Sequence, residues 1–295
     1  MDKLIEKAAI LMEALPYIQE FRNSVVVVKL GGSVIEDITK TRGVIRDIVF
    51  MECAGMRPLI VHGGGKAIST RLTEEGVESH FVNGLRYTSK KAIKIIDEVL
   101  HNQINSSLKN LMEELNGHPQ SLSGKDVLKA EKYEETDQRT GQTTEWGQVG
   151  RVTGVDTMAI NALLEQNLVP IITPLASGTE NNGIYNINAD TAACKIAAAL
   201  QAKKLAFLSD VPGIMKDPED EDSLIPTIKI KEVESLIAAG TIGRGMIPKV
   251  RSAVEAVKAG TEKVHMIDGR VQHSLLLEIF TRRGIGTQIV TTNRK

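Results

Sequence analysis

Two apolar runs, each ending in adjacent glycines, constrain this chain more than any other feature. They are VVVVKLGGS at residues 25–33 and RPLIVHGGG at 57–65. Four consecutive valines make an unbroken apolar strand, the pattern of a strand covered on both faces. Between the runs, about Thr39 to Ala54 reads as a helix with Gly55 as its C-terminal stop. Strand, helix and strand make a βαβ unit. Both glycine clusters then fall at C-terminal strand ends, where open parallel sheets bind ligands. Glycine lets the backbone approach a ligand closely, and successive N–H groups form an anion nest reinforced by the following helix. A lone Gly-Gly pair is better read as a turn, but two clusters in one βαβ unit favour a phosphate site. GxxxxGK[ST] and GxGxxG are both absent, so a phosphate here is held by separate loops.

Strands and helices alternate along the rest of the chain, the pattern of a mainly parallel sheet with helices on both faces. The expected helices cover about 89–115, 156–166, an alanine-rich one opened by NINAD (186–190) and ending near 201, 230–239, 249–259 and 273–282. The expected strands cover 168–173, 204–210, 263–267 and 287–291. The polar segment 121–152, with Gly124, Gly141 and Gly147, reads as hairpins. Residues 1–20 read as an added helix with an apolar stripe of Leu4, Ala8, Leu11, Leu15 and Ile18, which Pro16 should kink or end. That stripe is covered either by its own domain or by another subunit.

Composition removes several classes. The 295 residues carry 36 basic and 37 acidic side chains, so no basic excess points to nucleic acid. Aromatic residues are only 3%, which leaves few platforms for stacking bases. No apolar run reaches the length of a membrane span. Cys53 and Cys194 form no CxxC pair and read as buried free thiols in a reducing compartment. Asp2, Glu6 and Glu13 interrupt any N-terminal signal sequence, so the expected location is the cytoplasm.

Isolated cations mark the candidate chemistry. Lys29, Arg86 in NGLRYT and Lys249 in GMIPK each adjoin glycines. A lysine ending a valine strand is costly to bury unpaired. Lys249 taken alone is better read as a surface cation lying over apolar neighbours. Arg86 is a natural fork for a carboxylate. Asp190, in NINAD, either caps the following helix or pairs with the lysines. Asn186 and Asn188 alternate, so an extended backbone would turn only one of them to the site. Phosphoryl transfer needs two oxygens held in line and a spread negative charge neutralised. Two lysines, glycine amides and an organising aspartate suit that task. No GxSxG or HExxH pattern offers a competing chemistry.

KLGGS, VHGGGK, NGLRYT, YNINADTAA, LSDVPGI and GMIPKV occur in the order seen in the amino acid kinase family, which this chain resembles from about residue 25 to 294. Within it the pairing of NGLR with YNINAD resembles the branch acting on N-acetyl-L-glutamate. The resemblance implies a three-layer αβα sandwich around an open, mainly parallel sheet, with an extra N-terminal helix. It implies ATP-dependent phosphorylation of the γ-carboxylate of N-acetyl-L-glutamate. Lys29 and Lys249 would stabilise the transferring group and Asp190 would hold them. Gly31, Gly32, Gly64 and Gly65 would offer N–H groups, the latter pair on the substrate side. Arg86 and Asn186 would hold the acyl amino acid, and Asp210 would lie near the nucleotide. Magnesium would arrive mainly on ATP, with no metal site of the protein's own. It divides the chain into an oligomerisation helix, 1–22, an acyl amino acid lobe, 23–180, and a nucleotide lobe, 181–295. Arginine-inhibited members carry a similar N-terminal helix and a stretch like HMIDGRVQHSLLLEIFTRRGIGT. This implies an L-arginine site near Tyr17, Lys204, His265, Glu278 and Gly286, and a homo-oligomer, a hexamer built as a trimer of dimers. His265 taken alone reads equally as a satisfied histidine beside a strand. Lys66 departs from the family pattern, in which proline is common after HGGG. A sibling kinase for glutamate, aspartate or UMP, a non-catalytic arginine or nucleotide sensor, and a plain scaffold are the alternatives.

Overall fold

The computed structural model describes residues 2–136, 143–180, 183–217, 219–243, 245–281 and 284–291. Its strands are β1 (Val25–Leu30), β2 (Arg57–His62), β3 (Phe81–Val82), β4 (Leu85–Arg86), β5 (Pro119–Leu122), β6 (Leu128–Thr136) and β7 (Thr143–Val155). They continue with β8 (Val169–Ile172), β9 (Leu175–Gly178), β10 (Ile184–Asn186), β11 (Lys204–Ser209), β12 (Thr227–Lys229), β13 (Lys263–Asp268) and β14 (Thr287–Val290). An eight-stranded sheet runs in the order β12-β14-β13-β11-β1-β2-β8-β5. All its pairings are parallel except β13 with β14.

The valine run is unbroken because β1 is sandwiched. Val27 packs with Leu59, Leu205 and Phe207 in one core. Val26 and Val28 pack with Ile45, Ile48 and Ile60 in the other. The chain builds outward from β1 through β2 on one side and later through β11 on the other. The β1–β11 crevice is therefore the point where strand order reverses, the usual ligand position in such sheets.

The helices in chain order are α1 (Asp2–Phe21), α2 (Gly32–Ile35), α3 (Ile38–Cys53), α4 (Gly65–Glu74), α5 (Ala92–Glu98) and α6 (Ser106–Glu114). Then come α7 (Gly124–Val127), α8 (Thr157–Glu165), α9 (Ala189–Ala199), α10 (Val233–Ala238), α11 (Ile247–Lys258) and α12 (Ser274–Ile279). Asp37 starts α3 by accepting the N–H groups of Thr39 and Lys40.

Several expectations are corrected. α1 runs through Pro16 rather than ending there. The single helix expected over 89–115 is α5 and α6 joined by a π-helical segment, Val99–Asn105. Residues 121–122 belong to β5 in the main sheet, because they pair in parallel with β8. Gly124 opens the short helix α7 rather than a hairpin turn, because the Ser123 side chain accepts the Lys125 N–H there. β6 and β7 do pair antiparallel as expected, and they close a small barrel with β9 and β10. Cys53 is exposed rather than buried, since it lies at the solvent side of the last turn of α3. Cys194 is buried, and burial pushes its thiol pKa up. The turn expected at Gly141 and the side chain of Leu4 lie outside the described residues. Among the described residues, no helix is long and apolar enough to cross a membrane.

Candidate active site

Lys29 enters the site because β1 ends beside β11, where Lys29 pairs in register with Phe207. Lys249 arrives on the first turn of α11 and Asp190 on the first turn of α9. The three meet. Lys29 Nζ lies 2.8 Å from Asp190 Oδ1 and Lys249 Nζ donates to Oδ2 at 2.6 Å. Both lysines are largely buried, and the Lys249 ammonium also sits 4.6 Å above the Phe207 ring centroid. Burial alone would raise the Asp190 pKa, but the two ammonium groups outweigh it and hold it down at about 2. Burial lowers the Lys249 pKa, and Asp190 partly restores it. Two cations share one anion, so the cluster keeps a net positive charge available to a phosphate.

Asp190 is not the helix cap. Asn188 caps α9, its side chain accepting the N–H groups of Asp190 and Thr191 at 2.9 and 3.1 Å. That leaves the Asp190 carboxylate to the lysines. Asn186 and Asn188 both line one cavity of about 180 Å³, together with Gly63, Gly64, Gly65 and Arg86. Strict alternation fails because β10 ends at Asn186. Gly31 donates its N–H to Leu208 O at 3.0 Å, which ties the first glycine loop to β11. Gly32 opens α2 immediately after. Asp210 is exposed just beyond β11 and does not join the lysine–aspartate cluster.

Arg86 is buried in β4 with its guanidinium fixed. Nη2 donates to Gly65 O and to Ser69 Oγ, both at 2.8 Å, and Nη1 donates to Ser79 Oγ. The Phe81 ring lies against it, 4.6 Å from centroid to Cζ. Among the described residues no carboxylate pairs with it, so a buried cation stands beside the cavity with no anion of its own. Asn186 Nδ2 donates to the Thr88 hydroxyl at 3.2 Å, and that hydroxyl donates to Arg86 O at 2.9 Å. Sequence reasoning missed Ser69, Ser79, Thr88 and Phe207, because nothing local distinguishes them from ordinary core or loop residues. Lys66 is exposed, with its ammonium 3.3 Å from Glu36 Oε2.

A second cluster gathers across the N-terminal part of β11, β13 and α12. Buried His265 lies with Nδ1 2.6 Å from Glu278 Oε1. Glu278 Oε2 accepts the N–H groups of Ile285 and Gly286 at 2.8 and 3.0 Å. Lys204 Nζ reaches Glu278 O at 3.5 Å and lies 4.8 Å over the Phe21 ring centroid. Tyr17 joins through Phe280, with ring centroids 6.2 Å apart. Burial would raise the Glu278 pKa, but His265 and the two amides lower it. His265 is fully enclosed and held down at about 4, chiefly by burial, and its Nε2 has no partner among the described residues.

His62 is equally enclosed and also held down at about 4 by burial. The unfolded chain takes up protons on these two rings near pH 6.5, whereas the folded protein takes them up only near pH 4. The unfolded state therefore binds more protons between those values, and stability falls as pH falls through that window. Urea unfolding at pH 7 and pH 5 should differ by roughly 4 kcal/mol from the two rings together. Equal stabilities at the two pH values would contradict the neutral assignment.

The sequence profile of the amino acid kinase family matches residues 24–268. The acetylglutamate kinase of Akkermansia muciniphila is 44% identical over 294 residues, covering 100% of this chain and 99% of that protein. Among solved structures, N-acetylglutamate synthase from Neisseria gonorrhoeae complexed with coenzyme A and N-acetyl-glutamate superposes with a TM-score of 0.84 at 25% identity. That match covers 97% of this chain, which spans only 64% of the synthase. The same synthase complexed with coenzyme A and L-arginine superposes at 0.79 with 26% identity, over 97% of this chain and 65% of that one. With its profile matched across most of the chain and a full-length relative at this identity, the chain belongs to the amino acid kinase family.

Proposed function

We propose that this protein transfers the γ-phosphoryl group of ATP to the side-chain carboxylate of N-acetyl-L-glutamate, giving N-acetyl-L-glutamyl 5-phosphate and ADP in arginine biosynthesis. The full-length similarity to acetylglutamate kinases supports the reaction. The observation that carries the chemistry is the Lys29–Asp190–Lys249 cluster, set at the sheet's switch point near a cavity that holds an unpaired arginine. One carboxylate oxygen attacks phosphorus as the bond to the β–γ bridging oxygen breaks, and that electron pair leaves on ADP. The attacking carboxylate is already ionised at neutral pH, so no general base is needed. Lys29 and Lys249 neutralise charge on the moving group, and Asp190 keeps both ammonium groups aimed. Gly31, Gly32, Gly64 and Gly65 supply amide donors, and Asp210 lies at the nucleotide end. Arg86 takes the α-carboxylate and Asn186 the acylated amino group. Residues 23–180 chiefly serve the acyl amino acid and 181–295 the nucleotide.

The donor set fits a nucleotide whose magnesium is held by its own phosphates. Ammonium and amide groups line the site, and among the described residues no group of three His, Cys, Asp or Glu side chains gathers to hold a metal ion. Magnesium would screen the β- and γ-phosphates.

L-Arginine is the proposed inhibitor, bound at the His265–Glu278–Lys204 cluster. The synthase that superposes on this chain is itself seen complexed with L-arginine, which supports that choice. In this structure both Glu278 oxygens are engaged, so a guanidinium must share Oε1 with His265 or displace it. Leu11 and Leu15 on α1 are exposed, 71% and 38%, and α1 packs through Phe21 and Tyr17 on the same cluster. A second copy of the chain is the proposed cover for that stripe, within a hexamer.

ADP release should be at least tenfold faster with N-acetyl-L-glutamate than with glutamate, aspartate or UMP, and arginine should slow it. Equal rates with an unacylated acceptor would move the assignment to a sibling kinase. No turnover with any acceptor, together with arginine binding, would make it a sensor.

A further inference from the structure

His62 ends β2 and precedes the three glycines, yet the proposed reaction gives it no task. Its ring is completely buried. Nδ1 lies 3.1 Å from Gly63 O, which can only accept, so Nδ1 carries the proton. Nε2 must then accept, and Asn105 Nδ2 stands 3.2 Å away. The same amide nitrogen donates to Ile171 O at 2.7 Å, and Asn105 Oδ1 accepts from the Ser121 hydroxyl at 2.6 Å. Swapping the amide would set two acceptors face to face at Ile171, so the whole set is fixed in one orientation. The low pKa keeps the imidazole neutral at pH 7, as this pattern requires.

A trans peptide points its C=O and its N–H in opposite directions. The Gly63 carbonyl turns to the buried ring, so the Gly64 N–H of the same peptide turns away from it. Gly64 lines the cavity shared with Arg86 and Asn186. No backbone carbonyl among the described residues takes that N–H. A Cβ at Gly64 would stand 2.6 Å from Ile104 Cδ1 and 2.9 Å from Leu100 Cδ2. Leu100, Ile104 and Asn105 all belong to the π-helical segment, whose extra residue per turn shifts the helix phase there.

We infer that His62 is a positioning residue: by gripping the Gly63 carbonyl from the core it aims the Gly64 amide at the phosphoryl group in flight, and the π-helical segment brings Asn105 to its ring. The aim at a phosphoryl group rests on the function proposed above; the grip does not.

Two measurements separate these. Nitrogen-15 labelling of histidine in the full chain reads the His62 tautomer without substrate, the signal being identified by its loss in His62→Asn. Nδ1 should be protonated and Nε2 bare at pH 7 and at pH 5. Steady-state kinetics reads the aim. His62→Leu should lower kcat about 100-fold with little change in either KM, as for loss of an oxyanion donor. His62→Asn, whose amide nitrogen can replace Nδ1, should stay within about tenfold of wild type. Affinity for ADP with aluminium fluoride and N-acetyl-L-glutamate should fall with kcat in His62→Leu, while affinity for AMP-PNP stays constant. A purely structural role would lower the active fraction and leave both affinities per active site unchanged. An Nε2-protonated ring overturns the inference even if His62→Leu fails to fold, and so does a His62→Leu enzyme with wild-type kcat. A wild type that shows the Nδ1 proton but no turnover of N-acetyl-L-glutamate supports the grip and overturns the aim and the proposed reaction.

Discussion

Lys249→Ala and Lys29→Ala each lower kcat by about 10³-fold while the KM values for ATP and acceptor change little. The reason is the timing of the charge they meet. Each ammonium is already paired with Asp190 before substrate binds, at 2.6 and 2.8 Å, so ground-state binding gains little from it. Negative charge spreads over the equatorial oxygens only as the phosphoryl group moves, and an aimed cation is then worth most. Arginine does not substitute, because its planar fork cannot occupy the point position of Lys249 over the Phe207 ring. Asp190→Asn gives a second signature. Burial already lowers the Lys249 pKa and Asp190 is what raises it. Removing that carboxylate lowers it further, so the alkaline limb of kcat moves to lower pH. Initial rates across pH 6–10 check this. A limb that stays put would mean that Lys249 is not the group titrating, and a lysine variant with near wild-type kcat would remove that lysine from the mechanism.

Gly147→Ala should cost about 3 kcal/mol or more in stability and weaken binding of the acyl amino acid. Gly147 sits in β7 at φ +70°, and an added Cβ would lie 2.2 Å from the Thr88 carbonyl oxygen. That oxygen accepts the Gln148 N–H at 2.6 Å, and the Thr88 N–H donates to Trp146 O at 3.0 Å. Relief of the clash must move Thr88, whose hydroxyl joins Arg86 to Asn186. The damage therefore passes from the hairpin into the cavity proposed for the acyl amino acid. Gly76→Ala is the comparison. It shares a positive φ, +62°, but an added Cβ meets nothing within 4 Å. It should cost only about 1 kcal/mol. Urea midpoints of the two variants separate backbone strain from the clash, and the KM for the amino acid reports the pocket. Equal midpoints would show that the Thr88 contact yields without cost.

Much of the fold is legible because burial writes itself into local sequence. The valine run of β1 can only be a strand covered on both faces, and the glycines after β1 and β2 follow from the backbone's close approach there. Asp37 and Asp156 are of the residue type that starts helices, and they cap α3 and α8 by accepting unpaired N–H groups. The π-helical turn is not legible, because its residues have ordinary helical periodicity and their contacts with His62 and Gly64 come from distant parts of the chain. Nor is the exposure of Cys53, which depends on which side of α3 meets the sheet.

What the sequence by itself determined is the alternation of the long strands and helices, without β3, β4, β5, β9, β10, β12 or α7, and the residue types able to handle a phosphate: glycines after strands, and lysines beside them. What only the tertiary structure decided is pairing across distance. Lys29 and Lys249 are 220 residues apart, and no local pattern says that one carboxylate joins them. The choice of Asn188 over Asp190 as helix cap frees that carboxylate. His62, Thr88 and Phe207 gain their parts only from neighbours brought by other strands. The physical reason is common to all: backbone preference and burial act within a few residues, whereas a charge or a hydrogen bond takes its meaning from whichever group folding sets against it.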